Sequence, residues 1–307
     1  MDIDSRASLS MWNNIYDHFS PVAFELFGLS VHWYGLAYVS ALVISFFLAK
    51  LFINKLPRFR DIDPTLFDSY FIWVEIGIIL GARFGYLLIY TDEAWFYATR
   101  PWQAFNPYVD GEFVGIAGMS FHGAVVGFLL ASFIFCLAKK LSKSTIFGLL
   151  DIAALSIPLG YFFGRVGNFL NKELYGREVT QEWLRPIGIY VEGALRYPSQ
   201  LIEAALEGLV LFVVVYLALR WVRLRGGLMA VYAIGYALAR FVAEYFREAD
   251  SQLGYYFLGL SMGQILSLAL AAAGGLLWWF LSCNKCEILD EKLKVKPSRR
   301  KASKARG

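Results

Sequence analysis

Two stretches of the chain combine residue types that can hold an anion. Arg240 and Glu244 lie four positions apart near the end of an apolar block, and Arg247 follows a turn later. An i,i+4 ion pair accounts for the first two, but Arg247 has no acid to match it within that block. The second stretch runs Gly164, Arg165, Val166, Gly167, Asn168, Phe169, Leu170, Asn171, Lys172, Glu173, Leu174, Tyr175, Gly176, Arg177. Glycines that allow close backbone approach are mixed here with an Arg fork, two amides and a carboxylate. Such a set suits an anionic headgroup at a membrane surface. A nucleotide phosphate loop is not supported, since neither GxGxxG nor GxxxxGK[ST] occurs and no strand pattern precedes it.

Three histidines are present. His18 sits in a polar N-terminal arm and has no evident task. His32 opens His32-Trp33-Tyr34-Gly35 at the edge of an apolar block, where aromatic belt residues are expected. His122 lies in Gly118-Met119-Ser120-Phe121-His122-Gly123, and a histidine beside a cationic site is a candidate proton acceptor near neutral pH. A satisfied buried histidine is the alternative. Glu75 and Arg83 stand eight residues apart on one helical face, either as a structural pair or as functional charges in an apolar segment. Cys136 is isolated, and Cys283 with Cys286 forms a lone CxxC. A structural zinc site needs four ligands, so no metal is expected there.

These residues must be positioned by membrane helices. Of the 307 residues, 58% are hydrophobic, 17% aromatic and only 18% charged, which excludes an ordinary soluble globule, a disordered chain and a disulfide scaffold. The apolar residues gather near Leu36 to Ile53, Tyr70 to Tyr90, Ile116 to Leu137, Ile146 to Phe163, Ala204 to Leu219, Leu228 to Phe246 and Leu258 to Leu281. About 20 apolar residues carry a helix across a bilayer, so seven spans are expected. The alternating pattern of barrel strands is absent. The expected fold class is all-α, a polytopic bundle with a head segment between spans four and five.

Basic residues then set the orientation. Lys50, Lys55, Arg58 and Arg60 follow span one, Lys139, Lys140 and Lys143 follow span three, and Arg220, Arg223 and Arg225 follow span five. Together with the basic tail they fall on one side of a seven-span chain, which the positive-inside rule makes cytoplasmic. The N-terminus is expected outside and the C-terminus inside. The net charge of +4 is thereby explained by topology, and nucleic acid is not an expected partner. The connection from Gly164 to Glu203 breaks the pattern with Arg165, Lys172, Arg177, Arg185 and Arg196. No cleavable signal peptide is expected, because the first residues carry Asp2, Asp4, Arg6 and Asp17 and lack an apolar core. Two parts are expected: a membrane domain over residues 1–286, including the external loop 164–203, and a basic, disordered cytoplasmic tail over 287–307.

Seven fragments distributed along this framework resemble one known family. They are His32-Trp33-Tyr34-Gly35, Gly81-Ala82-Arg83-Phe84-Gly85-Tyr86, Met119-Ser120-Phe121-His122-Gly123, the signature from Gly164 to Gly176, Tyr197-Pro198-Ser199-Gln200-Leu201, Arg240-Phe241-Val242-Ala243-Glu244 and Ser261-Met262-Gly263-Gln264. In this order the chain resembles the bacterial prolipoprotein diacylglyceryl transferases over all but its N-terminal arm and basic tail. The resemblance implies transfer of a diacylglyceryl group from phosphatidylglycerol to the lipobox cysteine beside a prolipoprotein signal peptide. It also implies the bacterial inner membrane, a site facing the periplasm, and no cofactor. The family's important positions correspond to Tyr34, His122, Arg165, Asn168, Glu173, Gly176, Arg240 and Glu244. Tyr197 departs from relatives that carry histidine before Pro-Ser-Gln, which puts a catalytic role there in doubt.

The residue chemistry fits that implication. Arg165 and Arg240 are permanently charged and can grip a phosphate with paired donors, lowering the barrier as a phosphate ester leaves. His122 is the candidate base for the thiol, with an Arg-polarised thiolate or a water as alternatives. Glu244 and Glu173 are expected to orient the arginines or the loop, while Tyr34, Asn168 and Arg83 are expected at the lipid headgroup. The rival from another class is an anion or lipid transporter lined by Arg83, Arg165 and Arg240. An internal repeat would favour it, and the two halves show none.

Overall fold

The computed structural model describes residues 11–26, 28–89, 91, 93–109, 112–113, 118–248 and 259–284. Two compact units are present, Met1–Phe59 with Phe147–Gly307, and Arg60–Ile146. The chain is mostly helical. Helix α1 covers Trp33–Lys55, α2 Pro64–Ile89, the short α3 Ala94–Thr99, α4 Phe121–Ala138 and α5 Lys143–Leu170. Helix α6 covers Ser199–Ala218, α7 Gly227–Ala243 and α8 Met262–Cys283. A helix satisfies its own backbone, the condition for crossing hydrocarbon. Five helices, α1, α2, α5, α6 and α8, are long and apolar enough to cross a membrane, whereas α7 and Gly123–Ala138 of α4 are apolar but shorter. Large apolar side chains on their outer surfaces, among them Phe47, Leu129, Phe133, Leu276 and Trp279, are exposed as lipid-facing residues would be.

In the unit Arg60–Ile146, helices α2 and α4 approach through glycine. A Cβ at Gly81 would overlap the carbonyl oxygen of Gly123, and one at Gly127 would overlap that of Gly77. Small residues at four-residue spacing allow this contact between apolar helices, where water supplies no driving force. Ser120 caps α4 by accepting a hydrogen bond from Gly123 N at 3.2 Å, which places His122 in the first turn. The Glu75–Arg83 pair does not form. Eight helical residues span about 12 Å along the axis, and Arg83 instead donates from Nε to Ala104 O (2.6 Å) and from Nη1 to Gly118 O (3.0 Å). Oε2 of Glu75 is buried without a hydrogen bond.

In the other unit, α1 packs on α5 where Gly160 meets Ala41 and Ser45, and Gly167 meets Ala37. Gly274 of α8 sits similarly against Ala230 and Ala233 of α7. Where α1 ends and α5 and α7 begin, Arg58 and Asp151 form a buried pair at 2.6 Å. Arg58 also donates to Val222 O (2.5 Å) and Leu224 O (2.6 Å), and Arg225 donates to the carbonyl of Arg58. Asp151 accepts from the amides of Gly226 and Leu228, both at 2.9 Å, thereby capping α7 from a neighbouring helix. The sequence reading assigns Arg58 and Arg225 to topology alone, but both are structural.

Three two-stranded antiparallel ladders accompany the helices among the described residues: β1 Val22–Leu26 with β2 Leu29–His32, β3 Tyr108–Val109 with β4 Glu112–Phe113, and β5 Ile189–Val191 with β6 Ala194–Arg196. The last lies in the segment between α5 and α6. Its residues Ile189 and Val191 form a small core with Tyr16 and Phe169, and Asn13 clamps the segment through Arg185 O (3.0 Å) and Gly188 O (2.7 Å). The N-terminal arm is therefore part of the head. Burial raises the phenol of Tyr16 above its ordinary titration range, so it stays neutral and accepts from Gln200 Nε2 at 3.4 Å.

Candidate functional site

Four helix ends converge within the unit Met1–Phe59 with Phe147–Gly307: the last turns of α5 and α7 and the first turns of α6 and α8. The connection expected over 164–203 is narrower than its sequence suggests. Helix α5 continues to Leu170 and α6 begins at Ser199, so Arg165 and Asn168 project from a helix and Glu203 belongs to one. Residues Ala204–Val210 of α6 wind as a π-helix, a local widening that often accompanies functional sites.

Glu203, only 1% exposed, is the hub. Its carboxylate lies 3.0 Å from Arg165 Nε, 3.3 Å from Arg240 Nη1 and 3.6 Å from Arg247 Nη1. Glu207, fully buried, lies 3.5 Å from Arg240 and accepts from Tyr161 Oη at 2.6 Å. Glu244 pairs with Arg240 at 2.9 Å and accepts from Ser261 Oγ at 3.0 Å. The absence of a side chain at Gly263 makes room for this carboxylate, whose carbon would stand 2.6 Å from a Cβ there. Glu244 thus lies over the first turn of α8, where Ser261 and Gln264 close a capping box and the helix dipole favours negative charge.

Three partly exposed guanidiniums thus face three buried carboxylates. The match is not saturated in hydrogen bonds: Glu203 Oε2, Glu207 Oε1 and Glu244 Oε2 are close to cations yet accept no well-aligned bond. Guanidinium N–H groups therefore retain capacity for a further acceptor. Arg165 donates from Nε to Tyr161 Oη (2.8 Å) and from Nη1 to Asn168 Oδ1 (3.3 Å), and Asn168 donates to Glu173 Oε1 (2.8 Å). Both ends of the Asn168 amide are thus engaged within the protein.

The site unites Arg165, Asn168, Glu173, Arg240 and Glu244, as their sequence pattern suggests. It adds Arg247's acid partner, Glu203, together with Glu207 and Tyr161, which that pattern does not single out. Gly176 contributes by its lack of a side chain, because a Cβ would collide with the carbonyl of Phe246 where the segments at Gly176 and Arg247 bridge. Tyr34 lies in the first turn of α1, is 47% exposed, and has its backbone close to Gly167. Arg83 holds backbone carbonyls in the other unit. His122 is the second residue of α4, and its side chain lies outside the described part of the structure.

The remaining cations of the head segment mostly fold it. Lys172 donates to the carbonyl of Tyr16 and stands over the Tyr16 and Phe19 rings. Arg177 closes the end of α7 through Glu244 O (3.0 Å) and Arg247 O (3.1 Å), and Arg196 pairs with Glu248 at 2.8 Å. Tyr197 is buried, donates to Gln181 at 2.7 Å and packs edge-on to Phe246. Its phenol is pushed above its ordinary range by desolvation, so it is no base near neutral pH. Among the described residues no group of acids, cysteines and histidines is arranged to hold a metal. Cys283 is a free exposed thiol, and Cys286 lies outside the described residues.

Apolar helices with half-buried arginines set on buried glutamates at one end define a multi-pass membrane protein equipped to hold an anion. The family model described as "Prolipoprotein diacylglyceryl transferase" matches residues 21–280. The chain is 53% identical over 286 residues to a phosphatidylglycerol–prolipoprotein diacylglyceryl transferase of Helicobacter hepaticus, covering 93% of this chain and 97% of the relative. It is 54% identical over 278 residues to the protein of that name from Campylobacter curvus, covering 90% and 99%, and 51% identical over 280 residues to one from Campylobacter jejuni, covering 91% and 100%. The chain belongs to the prolipoprotein diacylglyceryl transferase family. It is a transferase.

Proposed function

We propose that the chain transfers the diacylglyceryl group of phosphatidylglycerol to the thiol of the lipobox cysteine beside a prolipoprotein signal peptide. The Arg165–Glu203–Arg240 cluster carries this reading. The thiolate sulfur attacks the glycerol carbon that bears the phosphate, a C–S bond forms as the C–O bond breaks, and glycerol phosphate leaves. Arg165 and Arg240 hold the phosphate and the charge gathering on its departing oxygen, in a site of low dielectric where such contacts are strong. Glu203 and Glu244 keep the guanidiniums in place, Asn168 and Glu173 brace Arg165, and Gly176 lets the head segment close against α7. His122 takes the thiol proton, Tyr34 meets the headgroup from α1, and Arg83 holds the segment leading into α4.

Seven crossings fit the five long helices together with α4 and α7, whose 18 and 17 residues reach about 25 to 27 Å at 1.5 Å per residue. The positive-inside rule then puts the N-terminus and the arginine cluster on the periplasmic face of the inner membrane, with the C-terminus in the cytoplasm. Residues 1–286 form the transferase domain and 287–307 its basic tail. The test is reconstitution of the purified protein with phosphatidylglycerol and a lipobox peptide. A thioether-linked peptide with release of glycerol phosphate supports transfer, and solute flux without such a product supports the transporter instead.

A further inference from the structure

We infer that Tyr161 is a positioning residue for Arg165, fixing which edge of that guanidinium meets the lipid phosphate. The inference rests on the phosphate-holding role proposed for Arg165. Tyr161 lies one turn before Arg165 on α5, and the guanidinium carbon stands 4.9 Å from the centre of its ring. Its hydroxyl accepts from Arg165 Nε at 2.8 Å and donates to Glu207 Oε2 at 2.6 Å. Chemistry fixes this polarity. An arginine N–H can only donate and a phenol has one proton, so that proton goes to the carboxylate.

Geometry then distinguishes Tyr161 from its neighbour. Glu203 Oε2 stands 3.0 Å from the same Nε yet accepts no hydrogen bond. The Nε–H is aimed at the phenol, and the carboxylate contributes charge without capturing the donor. Nη1 makes only a 3.3 Å bond to Asn168, and Nη2 makes no hydrogen bond among the described residues. The outer Nη edge is therefore the one left for a bidentate acceptor such as a phosphodiester. Without the phenol, the natural partner of Nε–H is Glu203. The fork would then turn into a direct Arg–Glu pair, and the open edge would lose its aim.

The same one-turn spacing of tyrosine and arginine recurs on α7. Tyr236 precedes Arg240 by one turn, and its ring meets that of Tyr161 edge to face, with centroids 6.0 Å apart at 89°. The ring pair thus links the two helices that carry Arg165 and Arg240.

The test is Tyr161→Phe, which keeps the ring and removes the hydroxyl. Loss of a hydrogen bond to a charged group predicts a rise of roughly tenfold or more in KM for phosphatidylglycerol. The KM for a lipobox peptide should stay at its parental value, whereas the melting temperature in detergent should fall, because buried Glu207 loses the phenol's hydrogen bond. An unchanged lipid KM, or equal rises in both constants, overturns the inference. Should Tyr161→Phe fail to fold, 3-fluorotyrosine installed at position 161 alone keeps the shape and weakens the phenol oxygen as an acceptor. A raised lipid KM with an unchanged peptide KM again supports the inference, and an unchanged lipid KM overturns it. Arg165→Ala separates this from the underlying reading. If that variant still transfers, the phosphate clamp itself falls; if it is inactive while Tyr161→Phe matches the parent, only the role of Tyr161 falls.

Discussion

Glu203 is the residue on which the cluster turns, because one carboxylate faces Arg165, Arg240 and Arg247. Removing one partner from a buried ionic group leaves charge without compensation, at a typical cost of about 3 to 5 kcal/mol. Glu203→Ala is therefore expected to lower the melting temperature in detergent and to reduce transfer, while Glu203→Asp retains part of both. His122 makes a separate prediction. If it accepts the thiol proton, His122→Gln lowers kcat and removes the ionisation near pH 6.5 that a histidine base gives the pH–rate profile. A variant profile identical to the parent's from pH 6 to about 9 assigns the proton elsewhere. Arg165, Asn168, Glu173, Arg240 and Glu244 are legible in the sequence because charged and amide groups at the ends of apolar blocks need a reason to be there. Glu203 carries the same signal, hidden because the apolar run is naturally read as starting at Ala204, whereas Glu207 stands inside that run as a lone acid whose partners come from distant positions. Tyr161 is hidden differently, since a tyrosine near a helix end passes for an interfacial anchor.

Helices were legible as elements from their apolar runs, but their ends were not. Helix α5 runs past Arg165, with Gly167 serving contact with α1, and α6 begins five residues before its apolar run, with Ser199, Gln200 and Glu203 all buried. Such polar residues read as loop because the partners that satisfy them come from distant positions. The three ladders are short, and alternation over two to five residues is too brief to register against the surrounding apolar blocks. At the other end of the same helices, Asp151 joins Arg58 to the amides that open α7. Asp151→Ala leaves Arg58 buried without its carboxylate and α7 without its cap. The expected result is a loss of about 3 to 5 kcal/mol, seen as a lowered melting temperature with faster amide exchange at Gly226 and Leu228. A melting temperature equal to the parent's would show that this pair does not hold the helices together.

For the whole molecule, orientation decides whether the cluster can meet its substrates. Charge asymmetry between loops supports the proposed orientation, although Arg58 and Arg225 also serve a buried network. Glu182 is well exposed on the head segment between α5 and α6, so a Glu182→Cys variant of intact cells is expected to react with a membrane-impermeant maleimide added outside the inner membrane. Labelling only after the membrane is opened would place the head in the cytoplasm and reverse the topology. The central claim is that the two arginines hold the lipid phosphate during transfer. Its most direct test is the initial rate of thioether formation by Arg165→Ala and Arg240→Ala in proteoliposomes of defined phosphatidylglycerol content, with melting temperature as the control for folding. Loss of a donor to developing charge costs on the order of 100-fold or more, and that fall is expected for each variant. A folded variant within twofold of the parental rate would contradict the account.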